Sequence, residues 1–292
     1  MKQVWIAGVI AAACFSPALG QEVVKAKIAV RIVPLPERIA MAQCIVTGKV
    51  TEIEEKKISA HQFPGVKEKV DYTIAVVEIK DGLLGAKGVT HVKIGFVEPQ
   101  AAPGGPEGGP IRRPPIRFQP VVLAKNQEGC FLLTPHFEET FYTAPAFDYV
   151  INKQDNPNYD KEVDTVKQCA KLLADPDAGL KSKDAGDRFL TAALLVIRYR
   201  TPTGANPKEE KVDAAQSKLI LQGLGDGDWS KGFSPTDLTP MMVFGRIGLT
   251  DKDNWKPGPF QNYEKDFPEY AKKWIKENGD TYVMKRFVEK KD

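Results

Sequence analysis

The sequence predicts an α+β protein in two successive parts: a β-rich first half forming a small barrel or sandwich, then an α-helical second half. Three observations carry this. Apolar residues alternate with period two through several short runs before residue 147, and from about Asp160 they recur with the helical period. Between them, FDYVINKQDNPNYD (147–160) holds the turn-forming cluster Asp155-Asn156-Pro157-Asn158. The division is therefore a β domain at 21–148 and an α-helical domain at 149–292, after a leader at 1–20.

The leader has the layout of a secretory signal peptide. Met1-Lys2-Gln3 gives one positive charge, Val4 to Phe15 an apolar core, and Ala18 and Gly20 the small residues before a cut at Gln21. The core is too short to span a bilayer, and no later segment is long and apolar enough to do so. The expected product is exported, periplasmic or secreted, with no membrane span.

In the β half, Lys25–Val33 alternates strictly. Gln43–Ile53 carries β-branched residues around Gly48, with Ala42, Cys44, Val46 and Val50 on one face. Asp71–Lys80 is a further strand, after which Asp81-Gly82 reads as a turn. Val89–Val97, Val121–Ala124 and Cys130–Thr134 complete the set. The Pro/Gly-dense stretch at 98–120 supports neither strand nor helix, since Pro lacks the ladder donor and Gly has high backbone entropy. It reads as a loop inserted into the β half. Its Arg112, Arg113 and Arg117 beside Phe118 form a candidate docking strip for an anionic partner; the plainer reading is a solubilising loop.

The helical half opens with Val163, Val166, Ala170 and Leu173. A broader stripe follows at Phe189, Leu190, Ala193, Leu194 and Ile197, stopped by Pro202. A third helix runs through Val212, Ala215, Leu219 and Ile220 to Gly223 or Gly225, and a fourth is expected over Leu238–Leu249. The last carries Phe267, Tyr270, Ala271 and Trp274, with Asn278-Gly279 as its stop.

Composition narrows the function classes. The chain has 41 Lys+Arg against 38 Asp+Glu, and the resulting charge of +3 is too small to collect nucleic acid or anionic membrane. Its three histidines are scattered: His61 before a loop, His91 in a strand and His136 at a strand end. Metal-ligand spacings, the nucleophile elbow, the phosphate loop and the dinucleotide fingerprint are all missing from the sequence. Asp226-Gly227-Asp228 and Asp251-Lys252-Asp253-Asn254 look faintly like calcium loops, but neither continues to the remaining ligands, and each leads at once into a Trp. They read as capped turns tethered to the core. No catalytic, cofactor or metal residue is assigned.

The cysteines give one structural expectation. Loss of the leader removes Cys14. Cys44 shares a face with Val46 and Val50, and Cys130 shares one with Leu132, so both can point into one barrel. Export favours an oxidised pair, which makes Cys44–Cys130 the expected disulfide and Cys169 a buried helical thiol. The competing reading is three buried thiols.

Ala42–Val50 (AQCIVTGKV) is similar to the first long strand of the netrin-like domain found in tissue inhibitors of metalloproteinases and in bacterial look-alikes. Tyr72–Leu84 (YTIAVVEIKDGLL) and Glu128–Pro135 (EGCFLLTP) resemble its later strands. The whole chain also resembles a group of exported bacterial proteins of unassigned function. The resemblance implies an OB-type barrel. In the metalloproteinase inhibitors an N-terminal Cys chelates the target's zinc. Here the expected mature terminus is Gln21 and the first cysteine after it is Cys44, so that mechanism is not carried over.

The sequence therefore favours a non-catalytic binding or structural protein of the cell envelope or secreted fraction, with a protein partner. Two alternatives stay open. One is an envelope-acting hydrolase with carboxylates gathered at the domain junction; the other is a protease inhibitor using the Pro-rich loop as bait.

Overall fold

The computed structural model describes residues 33–99 and 121–289, apart from positions 203, 205 and 235. The leader, most of the Lys25–Val33 strand, and Arg112, Arg113, Arg117 and Phe118 lie outside the described residues. The rest is mixed α+β, with a seven-stranded sheet, several helices and a separate two-stranded ribbon.

The described chain enters through a short helix, α1 (Leu35–Met41), which Pro34-Leu35-Pro36 did not suggest. Proline is tolerated in a first helical turn, where its missing N–H has no intrahelical partner anyway. Strand β1 (Cys44–Ile53) follows, then β2 (Ile58–His61), β3 (Lys69–Leu84) and β4 (His91–Phe96). After the Pro/Gly stretch come β5 (Glu128–Pro135), β6 (Tyr142–Thr143) and β7 (Val150–Asn152). Strand β1 pairs antiparallel with both β3 and β5, β3 with β4, and β5 with β6, while β4 and β6 run parallel. The pairings thus return to β1. Strands β2 and β7 attach to the outside of β3 and β5.

Three expectations for this half are corrected. Asp81-Gly82 is not a turn: β3 runs on to Leu84, because register shifts in β1 keep Thr47 opposite Asp81 and Val46 opposite Gly82. Val121–Ala124 is not a strand. Leu123 is buried there, but Ala124 turns, accepting from the Gln127 N–H and donating to the Gln127 side chain. The sheet also extends past residue 148, since β7 pairs with β5.

In the second half, α2 (Tyr159–Ala174), α3 (Pro176–Leu180), α4 (Ala185–Arg200) and α5 (Ala214–Gly225) lead to α6 (Pro240–Gly245) and α7 (Tyr263–Asn278). The helix expected over Leu238–Leu249 is only the six residues of α6, and this half also contains strands. Strand β8 (Pro207–Lys211) pairs with β9 (Lys285–Glu289), and Glu209 joins both Arg200 and Lys285. Around Asp251, the Asp253 carboxylate accepts from the Thr250 N–H and hydroxyl, closing the capped turn, while Trp274 donates to the Asp253 carbonyl.

Two sheet faces are buried against different partners. Cys44, Val46, Val50, Phe131 and Leu133 pack together inside the sheet. On the opposite face Ile45, Cys130, Leu132 and Ile151 join Val163, Val166, Cys169, Leu194 and Ile197 of the helices, together with Ile39 of α1. That shared core binds the two halves into one packed body. Thr191 through Ile197 are all buried, so the middle of α4 is covered on every side.

Candidate functional site

A cleft of about 500 Å³ opens where the sheet meets the first turns of α2. Its floor is Thr47-Gly48-Lys49 of β1, its walls are Glu78–Asp81 of β3 and Glu128 of β5 with Lys153, and its roof is α2. Tyr159, Val163 and Lys167 fall at i, i+4 and i+8 and so share a helix face, with Asp160 beside them.

The floor depends on a glycine. A Cβ at position 48 would stand 2.3 Å from the Glu78 carbonyl oxygen and 2.9 Å from Cγ1 of Val77. The close passage of β1 over the irregular stretch of β3 therefore requires Gly48. Beside it, the Thr47 hydroxyl donates to Asp81 at 3.0 Å. Glu128 accepts from the Lys153 ammonium at 2.8 Å, while the Lys153 N–H donates to the Glu128 carbonyl. The Lys153 ammonium holds the Glu128 carboxyl below its ordinary range, with Lys49 and Lys80 adding to the effect. In the roof, burial pushes the Tyr159 phenol up to about 12, reinforced by Cys130, Asp160, Glu128 and Asp81. That phenol is a hydrogen-bond donor at neutral pH and too weak an acid to serve as a base.

The described lining holds ammonium groups, hydroxyls and the four carboxylates of Glu78, Asp81, Glu128 and Asp160. The Lys153 contact keeps Glu128 ionised.

A second polar cluster lies where the β2–β3 hairpin meets the β5–β6 connection. The His61 N–H donates to Glu138 at 2.7 Å, and the His61 Nδ1 lies 3.0 Å from both Glu138 oxygens. His136 donates from Nε2 to the His61 carbonyl at 3.0 Å and accepts at Nδ1 from the Glu138 N–H at 3.3 Å. Both ring nitrogens are thereby engaged by main chain, and the ring packs on Tyr72, Phe137 and Phe141. His136 is a structural residue here. His61 ends β2, and His91 opens β4 on an exposed surface.

The expected Cys44–Cys130 disulfide is not formed; Cys44, Cys130 and Cys169 are buried free thiols. The β1–β5 register explains why. Cys44 lies opposite Leu133 and Cys130 opposite Thr47, an odd offset of three residues that puts the two sulfurs on opposite faces. Burial pushes Cys44 up to about 11, against a hydrogen bond from Tyr142, and pushes Cys130 and Cys169 to about 12.

No residue of the cleft was given a functional role from the sequence. Its one local signal was the Tyr159–Val163–Lys167 spacing; the rest comes from separate strands. The chain matches no protein-family model and no curated protein.

Proposed function

We propose that this is an exported, non-catalytic binding protein, that its sheet is an OB-type barrel, and that its ligand site is the cleft between the barrel and α2. The barrel reading is supported by the pairing order, which passes β1–β3–β4–β6–β5, with its one parallel step at β4–β6, and returns to β1 through the antiparallel β5–β1 pairing. The observation that carries the binding reading is the cleft itself. At about 500 Å³ it falls within the size range of small-ligand sites, and polar groups from five separate segments converge on it.

The test is retention of envelope material on the immobilised full chain, measured beside Lys49→Trp, which fills the floor with a side chain that strands accept. Saturable retention by the native chain and its loss in Lys49→Trp is the expected result. Retention untouched by Lys49→Trp would move the site off the cleft. Steady conversion of the retained material would make the protein a hydrolase and overturn the non-catalytic reading.

A further inference from the structure

We propose that the open edge of β7 is a docking site for the basic stretch KAKIAVRI (25–32) of this same chain, with the cationic side chains of that stretch over an acidic hollow; this reading is independent of the cleft. The sheet path ends at β7, which pairs with β5 and with no other strand among the described residues. A hollow of about 290 Å³ lies along β7 between Arg38 of α1 and Glu162 of α2, and it touches Val150, Ile151 and Asn152 in succession. Side chains alternate across a sheet, so three successive residues meet one hollow along the strand's edge rather than over one face. Such an edge offers N–H and C=O groups that an added extended segment can satisfy.

The charges of the hollow select a cation. Arg38 is its one positive group, and it already faces Asp148: Nε lies 3.7 Å from the carboxylate, and a guanidinium N–H donates to the Asp148 carbonyl. Asp155 accepts only from the neutral Asn152 amide, at 2.6 Å, and neither Asp155 nor Glu162 has an ion pair among the described residues. These two carboxylates leave the hollow with negative charge that nothing in its lining offsets. The stretch 25–32 carries Lys25, Lys27 and Arg31 and no acidic residue. The three alternate with Ala26, Ile28, Val30 and Ile32 in the period that strand pairing requires. It is also joined to the right place. Val33 and Pro34 lead directly into α1, and the Arg38 N–H donates to the Pro34 carbonyl, so the chain arrives one helical turn from the hollow. Eight extended residues would reach about 26 Å, against roughly 10 Å for β7. Tethered so close, the stretch has a high effective concentration, and modest ion pairs suffice to hold it.

The experiment follows amide hydrogen exchange in the full chain. Amides of 26–32 should exchange more slowly than those of an unstructured peptide of the same sequence. Lys25→Glu/Lys27→Glu/Arg31→Glu should cut that protection by about tenfold, the factor for a pair of partly exposed ion pairs near the top of their range. Asp155→Lys/Glu162→Lys should do the same, and the two sets combined, which restore opposite charges, should recover it. Lys208→Glu, on the exposed β8, should change nothing. Unaltered exchange in α4 shows that a variant keeps its fold; where a reversal disturbs α4, Arg31→Gln and Glu162→Gln carry the same test with a smaller loss. Unprotected amides at 26–32, protection indifferent to both reversals, or no recovery in the combined variant would overturn the proposal. Protection that falls on dilution would put a second copy's stretch on the edge and overturn the assignment within one chain.

Discussion

Arg246 reaches back across 209 residues to donate to the carboxylate of Glu37 at 2.5 Å. The Glu37 side chain is only 5% exposed and the Arg246 side chain 25%, so the pair sits at the edge of the core and ties α1 to the end of α6. Removing one member leaves the other charge poorly solvated. Arg246→Met should cost about 2–3 kcal/mol, below the figure for a fully buried pair because Arg246 keeps some water. Urea unfolding with an unchanged m-value checks it, and the Glu37→Gln/Arg246→Met double variant should lose less than the sum of the two singles.

Arg198 of α4 donates to the Ala40 carbonyl at 3.1 Å and to the Ala42 carbonyl at 2.8 Å, satisfying acceptors at the exit of α1. Burial pulls this guanidinium below its ordinary value. Arg198→Met should lose about 2–3 kcal/mol, as expected for charge-assisted bonds to buried acceptors. Arg198→Lys should not recover it, because an ammonium cannot span both carbonyls as the planar fork does. Thermal unfolding of the two variants side by side decides this.

Gly48→Ala should destabilise by about 1–3 kcal/mol through overpacking, since the new methyl meets the main-chain oxygen of Glu78 rather than a flexible side chain. Amide exchange should speed up in 46–50 and 77–82 before it does in α4. Equal stability of Gly48→Ala and the native chain would show that β3 can move aside.

All three thiols should resist alkylation at neutral pH in the native state and react after unfolding without any reductant. Their folded pKa values, about 11 for Cys44 and about 12 for Cys130 and Cys169, lie above the ordinary 9.0. The folded chain therefore keeps protons that the unfolded chain gives up. Stability contributed by the neutral thiols is full below pH 9.0 and falls as pH rises toward 11–12. The slope is at most about 1.4 kcal/mol per pH unit for each thiol. Denaturant midpoints across this alkaline range, with Cys130→Ala for comparison, measure it.

Long apolar stripes were legible in the sequence, and isolated pairings were not. Val163–Leu173 and Phe189–Ile197 reveal α2 and α4 because burying a helix face leaves a local period. Strand β8 is Pro-Lys-Glu-Glu-Lys, wholly exposed, and its pairing with β9 depends on partners more than seventy residues away in the chain. Asp81-Gly82 shows the opposite failure, a turn signal overruled by the register of β1. The Cys44–Cys130 expectation treated two strand faces as one, although each side of this sheet has its own apolar cover. The cleft was hidden for a related reason. Thr47, Asp81, Glu128 and Tyr159 share no sequence spacing, only a meeting point made by the fold.

The position of α1 has a consequence for the order in which the molecule is completed. Its exit carbonyls wait for Arg198, 158 residues downstream of Ala40, and Glu37 waits for Arg246. At ordinary synthesis rates, the ribosome needs roughly 10–40 s to cover the span from Glu37 to Arg246. Arg38 can pair only once Asp148 has emerged, and the apolar face of β1 and β5 gains its helical cover only as α2 and α4 follow. The α1 contacts are therefore completed in steps along the chain, and the tie from Glu37 to Arg246 comes after those to Asp148 and Arg198.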